Sequence, residues 1–213
     1  MIFALLPVKA PPQAKQRLNG FLSAAEREAL ARIMYEDVLA VLCASRGLDR
    51  IVVVTSDEAT DRHARGSGAL VFEEQEQRSH SHSADAAARR ATEMGARTIL
   101  LIPIDVPLVT PAEIEELIAA AAEAGVVIVP SSDGTGTNAL ARTPPDAIRS
   151  RFGPGSFRAH LDQAKSLGRT VKVLRPPGLV FDVDTPDDAA ELLARAPHSR
   201  AAQVVRSKWA LKS

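Results

Sequence analysis

Thr98-Ile99-Leu100-Leu101-Ile102-Pro103-Ile104-Asp105-Val106-Pro107-Leu108 runs apolar from Ile99 to Ile104 and then meets a carboxylate and a proline. A short run this rich in Ile and Leu suits a parallel strand buried on both faces, with Asp105 at its carboxyl end. Three further runs repeat the pattern: Ile2 to Leu6, Ile51 to Val54 and Val126 to Val129. Helical patterns lie between them. Ser23 with Glu26 three residues later forms a capping box, and Leu30, Ile33, Met34, Val38, Val41 and Leu42 then make one apolar stripe. Thr110-Pro111-Ala112-Glu113 repeats the device, followed by Ile114, Leu117 and Ile118, with Gly125 as the stop. Thr185-Pro186-Asp187-Asp188 opens a further helix in the same way. Strand and helix in alternation predict an α/β protein with a doubly wound, mostly parallel sheet. A single domain over 1–196 is expected, with 197–213 as an appended tail and Ser79 to Ser83 as a polar, low-complexity loop.

Composition narrows the function. The chain has 213 residues, 26 basic against 26 acidic side chains, and 46% hydrophobic residues. No overall field draws it to nucleic acid or anionic lipid, and any anion site must be local. Aromatic residues are only 4%, too few for a base-stacking platform. No apolar run approaches a bilayer span and Met1-Ile2-Phe3 enters a strand without a charged leader, so a cytoplasmic protein is expected. The single cysteine, Cys43, lies in a helical pattern and is expected to be packed inside.

Open α/β sheets bind ligands beyond the carboxyl ends of their strands. Lys9, Thr55-Ser56-Asp57, Asp105, and Ser131 with Asp133 all fall at that edge. A turn or a helix cap explains any one of them; their shared edge is the signal. Asp105 there is placed to hold a hard cation. In Phe181-Asp182-Val183-Asp184, alternation puts Asp182 and Asp184 on one face of an extended stretch, where two carboxylates repel unless a cation sits between them. With Asp105 they offer the few oxygen ligands that Mg²⁺ takes from a protein when phosphates supply the rest. Lys9, Lys15 and Arg17 cluster after the first strand and could neutralise a triphosphate. Asp133-Gly134-Thr135-Gly136-Thr137-Asn138 reads as a hairpin turn or as part of an anion site. Phe152-Gly153-Pro154-Gly155-Ser156 leads into a helix that Ser156 would cap, and the free amides there could receive a phosphate. His80 and His82 belong to the polar loop, and His160 is expected as a partly buried helical residue, not a catalytic base.

Several motifs, taken in order, carry a family resemblance: Leu6-Pro7-Val8-Lys9 with Ala14-Lys15-Gln16-Arg17-Leu18, Met34 to Leu39, Asp105-Val106-Pro107-Leu108, Gly136 to Leu140, Phe152 to Phe157 and Asp182 to Pro186. From Leu6 to about Leu193 the chain resembles the guanylyltransferases that activate 2-phospholactate, or a related phosphorylated three-carbon acid such as phosphoenolpyruvate or 3-phosphoglycerate, in biosynthesis of the deazaflavin coenzyme F-420. The resemblance implies the nucleotidyltransferase (nucleotide-diphospho-sugar transferase-like) form of the doubly wound sheet. By the same resemblance Asp105, Asp182 and Asp184 would carry Mg²⁺. Lys9, Lys15 and Arg17 would face the phosphates of GTP, with Ser56 and Asp85 beside the nucleotide. Thr137, Asn138, Gly153 and Ser156 would line the phospho-acid pocket. Hand-off to the next enzyme is implied, and dimerisation stays open. One departure stands out: where the family has Gly-Leu-Asn-Ala-Ala, this chain has Ser83-Ala84-Asp85-Ala86-Ala87. An ionised Asp only accepts hydrogen bonds and repels nearby phosphate. Two alternatives therefore stand beside guanylyl transfer: the same fold acting on another nucleotide or acceptor, such as a sugar phosphate or a molybdopterin-type cofactor, and a non-catalytic nucleotide-binding protein.

Overall fold

The computed structural model describes residues 1–9, 15–74 and 79–209. Residues 10–14 of the Lys9 to Arg17 segment, and 210–213 of the tail, lie outside the described residues. Seven strands form one sheet: β1 (Ile2–Pro7), β2 (Arg50–Thr55), β3 (Leu70–Glu73), β4 (Thr98–Leu101), β5 (Val126–Pro130), β6 (Thr137–Arg142) and β7 (Val171–Val173). Their order is β3-β2-β1-β4-β6-β5-β7, and β6 alone among the described strands runs antiparallel, between β4 and β5. The helices are α1 (Ala24–Ala44), α2 (Glu58–Gly66), α3 (His80–Glu93), α4 (Pro111–Glu123), α5 (Ser156–Ser166), α6 (Pro177–Val180), α7 (Pro186–Arg195) and α8 (Arg200–Trp209). Strand order reverses at β1, with β2 on one side and β4 on the other, which opens a ligand crevice beyond their carboxyl ends.

Alternation along each strand builds a core on both faces. Ala4, Leu6, Val53, Leu100, Val127 and Val129 meet Val38 and Leu42 of α1 and Ile114 and Leu117 of α4. Phe3, Leu5, Val52, Ile99, Leu101 and Ile128 meet α3 and α5. α3 presents Ala84, Ala87, Ala88 and Ala91, whose small side chains bring its backbone close to the sheet. A third cluster joins Leu18, Leu30, Met34, Phe181, Val183, Leu192 and Ala201. It anchors the two polar segments of the site: burial of Leu18, Phe181 and Val183 stabilises each by about 1.5–3 kcal/mol and leaves Lys15, Asp182 and Asp184 facing the edge. The capping boxes at Ser23, Thr110 and Thr185 are all present.

Five expectations are corrected. The strand expected over Ile99 to Ile104 ends at Leu101, because Ile102 N–H still bonds Leu5 O at 3.0 Å but Pro103 has no N–H to continue the ladder. Ser79 to Ser83 is not a loop. Ser79 Oγ accepts from His82 N–H and caps α3, which begins at His80. Cys43 is exposed on α1, its thiol 3.8 Å from Ser67 O. Asp182 to Asp184 form no strand, although Phe181 and Val183 are buried and the carboxylates between and after them are not. The stretch after Pro197 contributes α8, which buries Ala201, Ala202 and Val205 against α1 and α7 and pairs Arg200 with Glu36 and Asp37. Among the described residues no helix is long and apolar enough to cross a membrane.

Candidate active site

Asp105 follows β4 across Ile102 to Ile104, and its carbonyl accepts from Val183 N–H at 2.9 Å. That bond ties the loop after β4 to the segment before α7. Asp184 is fixed from the other side: the Asp188 carboxylate, which closes the capping box on Thr185, also accepts from Asp184 N–H at 3.0 Å. The Lys15 ammonium stands between the two carboxylates. It donates to Asp105 Oδ1, to Val183 O at 2.7 Å and to Asp184 Oδ1 at 3.1 Å. Its side chain is only 3% exposed, while those of Asp105 and Asp184 are 35% and 34% exposed and open to the crevice. Desolvation alone would lower the Lys15 pKa, but the two carboxylates outweigh it and hold it above its ordinary value. Lys15 also has a left-handed backbone, φ 54°, the sole such non-glycine among the described residues.

Asp182 stands apart from this triad. Its Oδ1 accepts from the Asn138 amide at 3.0 Å, and the same NH₂ group lies 3.1 and 2.8 Å from the Leu179 and Val180 carbonyls. Burial raises the Asp182 pKa against the Asn138 bond, and Asp184, Asp188 and Asp105 push it further. No three metal-ligating side chains among the described residues are drawn together at coordinating distance. The oxygen nest that does exist, Asp105 Oδ1, Asp184 Oδ1 and Val183 O, already holds one cation in the form of the Lys15 ammonium. Its donors are all hard oxygens, the set that suits Mg²⁺ or Mn²⁺.

Thr137 and Asn138 open β6, directly after the hairpin from β5. Asp133 organises that hairpin, accepting from Ser131 Oγ, Thr135 N–H and Thr135 Oγ1, bonds that lower its pKa to about 2. Thr135 O accepts from Phe157 N–H at 3.1 Å and so brings the head of α5 beside Thr137. Ser156 is the first residue of α5, not its cap; Gly155 with φ 70° takes that place. The amides of Ser156 and Phe157 already bond Gly153 O and Thr135 O, so the helix start has fewer free donors than expected. Gly153, with φ 129°, adopts a backbone that a side chain would strain.

His160, fully buried, does more than pack. Its Nε2 accepts from Arg151 N–H at 2.8 Å, so the ring proton sits on Nδ1 and is donated to Thr137 Oγ1 at 3.0 Å. The Thr137 hydroxyl proton is thereby left to point elsewhere. Burial, with Arg142 nearby, lowers the His160 pKa to about 4. His80, assigned to a loop on sequence grounds, lies at the edge among charged groups. Desolvation and the Lys9 ammonium lower its pKa against the pull of Asp105, Glu74 and Asp184. Of the remaining candidates, Lys9 and Ser56 are exposed at the edge, and Arg17 reaches Asp184 at 3.9 Å. Asp85 faces elsewhere: it accepts from Arg142 Nη1 at 2.9 Å and from Ser150 N–H at 3.0 Å.

A family model described as guanylyl transferase CofC like matches residues 2–208. The chain belongs to that family. It is therefore a nucleotidyltransferase, and its relatives carry matching names. A phosphoenolpyruvate guanylyltransferase of Sphaerobacter thermophilus is 39% identical over 91% of this chain and 93% of its own. A 2-phospho-L-lactate guanylyltransferase of Methanothermobacter thermautotrophicus is 33% identical over 95% of this chain and 89% of its own. Among solved structures, a Desulfovibrio desulfuricans protein assigned to the nucleotide-diphospho-sugar transferases superposes with a TM-score of 0.79, at 18% identity, over 99% of this chain and 96% of that one. A Mycobacterium tuberculosis protein in complex with manganese superposes with a TM-score of 0.58, at 20% identity, over 92% and 99%. Both share the fold of the CofC-like chain.

Proposed function

We propose that this protein moves GMP from GTP onto the phosphate of a phosphorylated three-carbon acid, phosphoenolpyruvate first among them, and releases pyrophosphate. The observation that carries the reading is the Lys15 ammonium held between Asp105 and Asp184 at the ligand edge of the sheet. The substrate's phosphate oxygen attacks the α-phosphorus in line. That oxygen is already ionised at neutral pH, so the reaction requires alignment and charge neutralisation and no general base. Asp105 and Asp184, with Val183 O, would hold a divalent cation, read here as Mg²⁺; the manganese complex of a fold relative accords with such a cation. When bound, that cation supplies electrophilic neutralisation of phosphate charge. Lys15, released from the carboxylates, faces the phosphate chain together with Lys9 and Arg17. Thr137, its hydroxyl proton turned outward by His160, and Ser156 hold the acceptor. Asn138 fixes Asp182 beside them.

The Asp85 substitution does not favour a non-catalytic reading. Its charge is matched by Arg142 and its oxygens are engaged, so it is not a free carboxylate facing phosphate. The product is an activated phosphoanhydride, and the reading includes its passage to a transferase that displaces GMP. Pyrophosphate release from four nucleoside triphosphates, each with phosphoenolpyruvate, 2-phospholactate and 3-phosphoglycerate, tests the proposal. Turnover with GTP and one of these acids is expected. Tight GTP binding with no turnover on any acid, or preference for another nucleotide, contradicts it.

A further inference from the structure

The last residue of β6, Arg142, lies at the opposite edge of the sheet from Asp105, paired in register with Ile99 near the start of β4. It lies five positions after Thr137, about 17 Å along an extended strand. Its guanidinium is 1% exposed. Nη1 is satisfied by Asp85 Oδ1 at 2.9 Å and Ile148 O at 2.7 Å, but Nε and Nη2 have no hydrogen-bond partner among the described residues. The Ser150 hydroxyl, also buried, has none either. Buried donors are rarely left unpaired, because each costs its full desolvation. Both residues line a groove of about 690 Å³ between α3 and the segment 145–151. Arg89, Arg149 and Arg151 stand exposed around the same groove, against the carboxylates of Asp85 and Asp146 and the imidazole of His82. In a chain with no net charge, four guanidiniums over two carboxylates make a local excess of positive charge.

We propose that this groove is a second ligand site, separate from the reaction centre, which binds a small phosphorylated molecule with its phosphoryl group on Arg142 and Ser150. A guanidinium fork matches a phosphoryl group, and the rim arginines balance its second negative charge, which a single carboxylate would not carry. The groove is larger than a phosphate ion, leaving room for the body of the ligand. The proposal does not depend on guanylyl transfer. It has a route to the site, because Arg151 N–H bonds His160, which in turn orients Thr137.

Inorganic phosphate, added without nucleotide or divalent metal, is the probe. Nitrogen-15 NMR follows the Arg142 Nε–H and Ser150 amide signals, while the Gly155 and Ser156 amides report separately on phosphate at the reaction centre. The Arg142 and Ser150 signals are expected to move together and saturate. In the Arg149→Ala/Arg151→Ala double variant, which changes only exposed side chains, their midpoint is expected to weaken about tenfold while the Gly155 response is unchanged. An Arg142 signal that stays fixed through tens of millimolar phosphate, or a double variant that titrates like the parent, overturns the proposal.

Discussion

The Lys15 ammonium lies 3.1 Å from the Asp184 carboxylate while also bonding Asp105, so one cation is shared by both acids and offsets one of their two negative charges. A divalent cation would use the same oxygens, and ammonium and metal compete. In Lys15→Gln, Mn²⁺ is expected to bind the nucleotide-free protein several-fold more tightly, read by the loss of its free-ion electron paramagnetic resonance signal. Transfer is expected to fall by about 10²–10³, as when one preorganised charge is removed from a transition state. Unchanged manganese affinity would mean that the two cations do not share a site.

Asn138 donates within the protein to Asp182 and lies within bonding distance of two backbone carbonyls. Asn138→Ala leaves these acceptors without a partner and is expected to cost about 1–3 kcal/mol in urea unfolding. Asn138→Asp should be worse, because it sets a second carboxylate against Asp182. A stable Asn138→Asp protein would show that the segment before α7 is held by other contacts.

Gly178 is packed so closely that an added Cβ would lie 2.3 Å from Leu108 O and 2.4 Å from Glu113 Oε2. Gly178→Ala must push α6 away from the loop carrying Asp105, at about 1–3 kcal/mol or more. Gly66, the last residue of α2, has open space and an ordinary φ, so Gly66→Ala should stabilise by about 0.4–1 kcal/mol. Thermal midpoints moving in opposite directions check the pair.

Buried His160 has a folded pKa of about 4 against an unfolded value near 6.5. Between these values the unfolded chain binds the extra proton. Stability is therefore full above about pH 6.5 and is lost as pH falls towards 4, by about 3 kcal/mol for this group. Urea midpoints across that window should fall less steeply in His160→Gln than in the parent, and equal slopes would assign the acid sensitivity to other groups.

Much of this was legible in the sequence. Buried strands announce themselves through unbroken Val and Ile runs, and the three capping boxes marked α1, α4 and α7 because their side-chain spacing is local chemistry. The start of α3 was hidden, since Ser and His are weak helix formers and the helix relies on packing of its later alanines against the sheet. The tail was misread for a related reason: Ala201, Ala202 and Val205 show their value only once α1 and α7 are there to cover them. At the site, Asp105 could be chosen from its place after a buried strand, and Asp182 and Asp184 from their alternation with the apolar Phe181 and Val183. Their actual counter-ion could not, because Lys15 meets Asp184 across 169 positions of chain. The role of His160 depends likewise on Thr137 and Arg151, which only the folded chain brings to its two nitrogens. Asp85 and Arg142, 57 positions apart, show the same limit: a carboxylate that looked disruptive alone is matched by a distant guanidinium.

The most direct measurement is transfer of label from GTP, marked at its α-phosphorus, to phosphoenolpyruvate by the parent protein and by Asp105→Asn. Labelled product from the parent is expected, with a loss of about 10²–10³ in the variant, whose fold is checked by circular dichroism. Transfer by Asp105→Asn at the parental rate would contradict the account, because the carboxylate that shares Lys15 with Asp184 would then have no part in the chemistry.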